Sequence, residues 1–196
     1  MAHQLNSSWT FYYQDKAAEG AENVKYEDYI HKIGKFSTIE EFWTIFSHIM
    51  PANRLTAGMS VHMFRNDGMA LWESETNKNG GSFRITIPKT FICIAWETLL
   101  MSLIGEMVCN DISGVVISNR KKLAIVDVWH LNESEIIISQ IIKDIQQMMS
   151  SFPLSSIDYR SFSSIIAEPN QNTRIVYNIG ADGVPVKKLE EKKNKR

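Results

Sequence analysis

The sequence predicts an α+β fold: an antiparallel sheet with three helices packed on one face. Three observations lead there. Apolar residues recur three and four apart over 39–49, 91–107 and 133–149, the period of a helix with one buried face. Runs rich in β-branched and aromatic residues alternate with these stretches. Short polar turns join several of the runs, which makes neighbouring strands antiparallel.

Trp9–Tyr13 is an aromatic run that reads as a strand, followed by a small, polar loop over 14–23. Tyr26 to Phe36, apolar at Tyr29, Ile30, Ile33 and Phe36, reads as a strand ending near Phe36. Ser37-Thr38-Ile39-Glu40 fits a capping box, with Ser37 as N-cap and Glu40 reaching back. The first helix carries Ile39, Phe42, Trp43, Phe46 and Ile49 and stops at Pro51. Val61–Phe64 is a short strand, and Arg65 to Gly81 a long polar loop holding one Trp. Ser82–Ile87 alternates with period two, a strand with one wet face. The second helix, over 91–107, is apolar at Trp96, Leu99, Leu100, Leu103 and Ile104. Gly114–Asn119 and Leu123–Trp129 form a hairpin around Arg120-Lys121-Lys122. Glu133 to Met149 is the third helix, with Pro153 beyond it, and Ser156–Phe162 and Arg174–Tyr177 are weaker strands.

At roughly 150 residues per domain, 196 residues favour one domain, placed at 1–186. Five Trp, six Tyr and nine Phe supply ample burial, which excludes a disordered chain. Lys89 and Glu97 interrupt the longest apolar stretch, so no membrane span is expected. Cys93 and Cys109 make no disulfide scaffold, and the first residues lack the pattern of a signal peptide, so a cytoplasmic protein is expected. Residues 187–196 hold six basic and two acidic side chains and read as a basic disordered tail. Without them, 15 basic residues face 20 acidic ones, a net −5 for 1–186. A general duplex-binding surface needs a basic stripe, so nucleic acid would be read only through a small local feature.

No catalytic signature is present. There is no phosphate-cradling glycine loop, no paired-His zinc helix and no Cys-x-x-Cys. The five His are scattered, and both Cys read as small core residues. The chain is therefore expected to be a non-enzyme with neither cofactor nor metal.

Trp72-Glu73 is the informative pair, because burial alone does not demand a Trp in a polar loop. An indole face stacks on a base for ~1–3 kcal/mol. The adjacent carboxylate accepts two hydrogen bonds from one polar edge, and the N1–H and N2–H of guanine lie side by side. On pattern alone, a Trp folded back onto the core beside a solvated Glu is the stronger reading. Arg120-Lys121-Lys122, with Trp129 further on, is either a phosphate clamp backed by an aromatic or an ordinary solvated hairpin. Trp43 completes an apolar stripe, so it reads as core, or as a docking anchor if it sits at the stripe's edge.

Taken in order, these residues resemble the messenger-RNA cap-binding translation initiation factor 4E family over roughly residues 3–162. His3-Gln4-Leu5 and Trp9-Thr10-Phe11-Tyr12-Tyr13 are followed by Ile33-Gly34-Lys35-Phe36 and Ile39-Glu40-Glu41-Phe42-Trp43. Then come Trp72-Glu73, Asn77-Lys78-Asn79-Gly80-Gly81, Trp96-Glu97-Thr98-Leu99-Leu100, Leu103-Ile104-Gly105-Glu106, and Gly114-Val115-Val116 leading to Arg120 and Trp129. Any one motif is weak; the ordered series is specific. Tyr26 stands where the family usually has Trp, which resembles its second class, the 4E-homologous proteins.

The resemblance implies a curved antiparallel sheet of about eight strands with three helices on its convex face. It implies binding of the 7-methylguanosine triphosphate cap, in translation initiation or its regulation. Tyr26 and Trp72 would sandwich the base, Glu73 would hold the guanine edge, and Trp129 would touch the N7-methyl group. Arg120, with Lys121 and Lys122 beside it, would reach the phosphates. On the helical face, Ile39, Trp43, Met101 and Gly105 would form a groove for a partner helix of Tyr-x-x-x-x-Leu type, borne by the scaffold initiation factor or another protein. Ile125 stands where the translation-active class has Lys, and Ser82 and Phe83 replace a basic residue and Trp. No Lys lies between Tyr159 and Lys187, and Glu97 and Met101 stand where that class has two Leu. These departures leave base recognition intact and weaken the expected phosphate and scaffold contacts. They keep open two alternatives: a cap-binding repressor that recruits no scaffold, and an interaction module that has lost the cap. A monomer is expected.

Overall fold

The protein was analysed as a computed structural model, which describes residues 2–15, 25–152, 154, 156–170, 173–179 and 183–191. Among these residues nine strands form one antiparallel sheet: β1 Gln4–Gln14, β2 Ile30–Thr38, β3 Ser60–Arg65, β4 Gly81–Ile87, β5 Ile112–Asn119, β6 Ala124–His130, β7 Ser156–Ser161, β8 Thr173–Ile179 and β9 Pro185–Glu191. Their order is β2-β1-β3-β5-β6-β4-β7-β8-β9. Three long helices, α1 Ile39–Phe46, α2 Ile92–Ile104 and α3 Glu135–Met148, pack on one face, and a short α4, Phe162–Ala167, packs on the other.

Strand alternation separates the faces. Phe11, Met63, Val115, Val128, Phe83 and Tyr159 point toward the long helices and meet Phe42, Leu99, Leu103, Ile141 and Ile145 in the main core. Their sequence neighbours Tyr12, Phe64, Val116 and Trp129 build a second, smaller cluster on the opposite face.

Four features differ from the sequence-based expectation. The capping box sits one residue later: Thr38 accepts from the Glu41 N–H at 3.1 Å, and the Glu41 carboxylate accepts from the N–H of Thr38 and of Ser37. β2 pairs through Thr38, so the strand itself delays the helix, and Glu40 is taken by His3 at 2.6 Å. Tyr26 lies on a single 3-10 turn, Tyr26–Tyr29, rather than in a strand. Phe162 starts α4, because Ser161 caps it by accepting from the Ser164 N–H at 3.1 Å. The tail expected at 187–196 is ordered through Glu191 as β9, which also crosses the expected domain end at 186. Its charges are matched: Arg174 on β8 bridges Asp158 and Glu190, and Lys187 reaches Glu135 at 3.0 Å. Most of the expected loop at 14–23, residue 153 and residues 192–196 lie outside the described residues.

Candidate functional site

Three cross-strand rows organise the face away from the long helices. The first runs Thr10, Phe64, Gly114, Trp129, Ser82, Arg160. The second runs Tyr12, His62, Val116, Asp127, Arg84, Asp158. The third runs Gln14, Ser60, Ser118, Ile125, Thr86.

Trp129 is positioned by packing. A Cβ on Gly114 would lie 2.4 Å from the Phe64 ring, so only glycine lets that ring lie down beside Trp129. Phe64 meets the Trp129 indole edge-to-face at 5.6 Å, and Phe162 of α4 covers it at 4.6 Å. Trp129 is left 8% exposed, and its indole N–H has no acceptor among the described residues.

Trp72 is half-buried against the same cluster, while Glu73 is exposed. The reading of Trp72 as a residue folded onto apolar neighbours thus describes part of its surface. The loop that carries the pair is pinned by Asn77, which is buried and donates from Nδ2 to the carbonyls of Met69 and Leu71, both at 2.9 Å. Sequence reasoning used Asn77 only as a motif letter; a polar residue between two turn glycines and a Trp was the signal. Asn77→Ala strands two carbonyls at about 1–3 kcal/mol. It is expected to lower the melting temperature by several degrees and raise amide exchange across 69–78, read by hydrogen–deuterium exchange.

Tyr26 is 49% exposed, and its hydroxyl donates to Gln14 Oε1 at 3.1 Å. The same oxygen accepts from Ser60 Oγ at 3.0 Å, and Ser60 contacts Nε2 of the fully buried His62 at 2.8 Å. Burial pushes His62 down to about 3, so it is neutral at pH 7. Burial raises the Tyr26 pKa; Gln14 and Arg120 act to lower it and Asp127 to raise it, which places Tyr26 within electrostatic reach of both charges. No ring contact joins Tyr26 and Trp72 among the described residues.

Arg120, Lys121 and Lys122 are exposed at the β5–β6 turn, which the Arg120 N–H closes onto the Leu123 carbonyl at 2.9 Å. None makes an ion pair among the described residues. Arg84 forks onto Asp127 at 2.7 and 2.8 Å. Burial opposes the Arg84 charge, but the Asp127 carboxylate outweighs it and raises the pKa. This pair went unread in the sequence because strand register, which brings the two residues together, is not written in either strand alone.

On the helical face, Trp43 does not join the core: it is 50% exposed and leans edge-on against Phe42 at 5.1 Å. Ile39, one turn before Trp43 on α1, is exposed, as are Ile94, Met107, Glu97 and Gly105, and Met101 is half-buried.

Among the described residues no group of His, Cys, Asp and Glu could hold a metal ion, and no helix is long and apolar enough to cross a membrane. The family model for eukaryotic initiation factor 4E matches residues 4–176. The chain belongs to the initiation factor 4E family. Among curated 4E-family relatives, translation initiation factor NCBP of Arabidopsis thaliana is 33% identical over 68% of this chain and 61% of its own length. Initiation factor 4E-4 of Caenorhabditis elegans is 25% identical over 90% and 85%. The chain spans 61%, 59% and 58% of three NCBP relatives, about six-tenths of their length. Among solved structures of the 4E fold, C. elegans eIF4E-3 with the 4E-binding protein Mextli and cap analog superposes with TM-score 0.76 at 25% identity, covering 87% of this chain and 99% of that one. Schistosome eIF4E with m7GpppG and 4E-BP gives 0.73 at 28% identity, covering 81% and 88%.

Proposed function

We propose that this protein binds the 7-methylguanosine cap of messenger RNA, in translation initiation or its regulation in the cytoplasm. The observation that supports the reading is Trp72 packed on the apolar cluster around Trp129, with the exposed carboxylate of Glu73 beside it and exposed Arg120 to Lys122, which make no ion pair among the described residues, at the β5–β6 turn. Relatives solved with cap analogs support it.

The chemistry follows from the ligand's charge. Methylation at N7 makes guanine cationic. A cation between two aromatic faces gains ~2 kcal/mol or more once desolvated. The same charge strengthens the hydrogen bonds that N1–H and N2–H donate to the Glu73 carboxylate. Both gains shrink for GTP, so the residues that give affinity also give methyl selectivity. Tyr26 offers a smaller face than Trp, so stacking is weaker than between two indoles. Arg120 takes phosphate oxygens; Ile125, on β6 just past the turn that carries Arg120, offers them nothing.

Titration of intrinsic Trp fluorescence with 7-methyl-GTP and with GTP tests the reading. Affinity at least about tenfold tighter for the methylated ligand, ~1.4 kcal/mol, is expected. Equal responses to both ligands overturn it.

The exposed carboxylate of Glu97 favours a second reading, a cap-binding repressor of the family's second class. It places a charge where a partner helix would bury apolar side chains. Recovery of the large scaffold factor on the wild-type protein from native extract counts against it.

A further inference from the structure

We propose that Arg160 is a further ligand-contacting residue, taking phosphate oxygens of the cap's triphosphate chain from the β7 strand, away from the β5–β6 turn that carries Arg120. The inference rests on the cap-binding reading above. Ser82 on β4 pairs with Trp129 on one side and with Arg160 on the other, so the three stand in one cross-strand row. Tyr159 points into the main core, so Arg160 points to the face that carries Trp129. Adjacent strands lie about 4.8 Å apart, which separates the two backbones by roughly 10 Å, a gap that an extended guanidinium side chain largely spans. Ser82, between them, contributes no charge.

The charges around Arg160 are already matched to others. Asp127 is held in a fork by Arg84. Asp158 and Glu190 are both held by Arg174, at 2.8 and 2.9 Å. Arg160 is exposed and makes no hydrogen bond or ion pair among the described residues. Burial of part of its stem and the neighbouring Arg84 charge lower its pKa, while Asp127 and Asp158 act the other way. It remains protonated at neutral pH. An exposed guanidinium beside a like charge, with no ion pair among the described residues, is stabilised by an anion with several oxygens, and its planar fork suits phosphate. Arg160 thus supplies the positive charge of a row in which Ser82 and Trp129 carry none.

The test compares 7-methyl-GMP, 7-methyl-GDP and 7-methyl-GTP on the wild type, Arg160→Gln and Arg160→Lys by Trp fluorescence, with melting temperature as the folding control. Arg160→Gln is expected to bind 7-methyl-GMP within about twofold of wild type and to lose about tenfold on 7-methyl-GTP. Arg160→Lys, which keeps the charge without the fork, should recover part of that loss. Wild-type affinity in Arg160→Gln for all three ligands overturns the assignment while leaving the cap reading standing. A loss equal for all three ligands overturns it as well, since that marks a structural role. A wild type that does not prefer 7-methyl-GTP over GTP removes both readings together.

Discussion

Glu73→Ala is expected to lower 7-methyl-GTP affinity at least about a hundredfold, ~2.7 kcal/mol, with no change in melting temperature. The carboxylate is exposed and has no hydrogen bond or ion pair among the described residues, so removing it stays within about ±0.5 kcal/mol of stability. Its two hydrogen bonds to a cationic base would be lost together, and each charge-assisted bond contributes ~1.5–3 kcal/mol. Trp72→Ala should reduce affinity as far by a different route, through stacking and cation–π attraction. It should also cost a few degrees of melting temperature, because one side of the indole packs on the cluster around Trp129. Trp129 remains to report binding in both variants. Unchanged binding in Glu73→Ala, with Trp72→Ala merely unstable, would assign Trp72 to packing alone.

Trp43→Ala is expected to remove binding of a Tyr-x-x-x-x-Leu peptide, by about thirtyfold or more, while leaving 7-methyl-GTP affinity and melting temperature unchanged. A half-exposed indole beside exposed Ile39 has the composition of a binding hot spot, for which truncation costs ~2 kcal/mol or more. Among the described residues its ring contacts are edge-on, with Phe42 and Phe46, so the helix does not depend on it. Fluorescence polarisation with a labelled peptide reads the loss. Full peptide affinity in the variant would move the partner surface elsewhere.

The sheet and its three long helices were legible because alternation and helical period survive in the residues themselves. Phe83, Ile85 and Ile87 face the core as period two requires, and Leu99, Leu100 and Leu103 do so on α2. β9 was illegible because it is an edge strand with most side chains in water: Val186 and Leu189 are 61% and 69% exposed, and a charge run looks the same solvated or paired. In the candidate site, Trp72-Glu73 and the Arg120 turn stood out because an aromatic or a cation cluster in a polar segment has no local reason. The links between distant residues did not stand out. Gln14 beneath Tyr26, Phe162 over Trp129, and Arg84 on Asp127 each depend on pairings that local pattern does not encode.

The strand order sets when the Trp129 face of the sheet comes into being. β4 pairs with β6 and β7, not with β3, so its backbone waits for chain made some forty residues later. As the polypeptide leaves the ribosome, Phe83, Ile85 and Ile87 emerge without a neighbouring strand. Trp129 gains its cover only with Phe162. Long-range pairings of this kind are slow to form and leave apolar segments open to chaperones in the meantime. A truncated product ending before β7 would carry Trp72, Glu73 and Arg120 and leave Trp129 without its Phe162 cover.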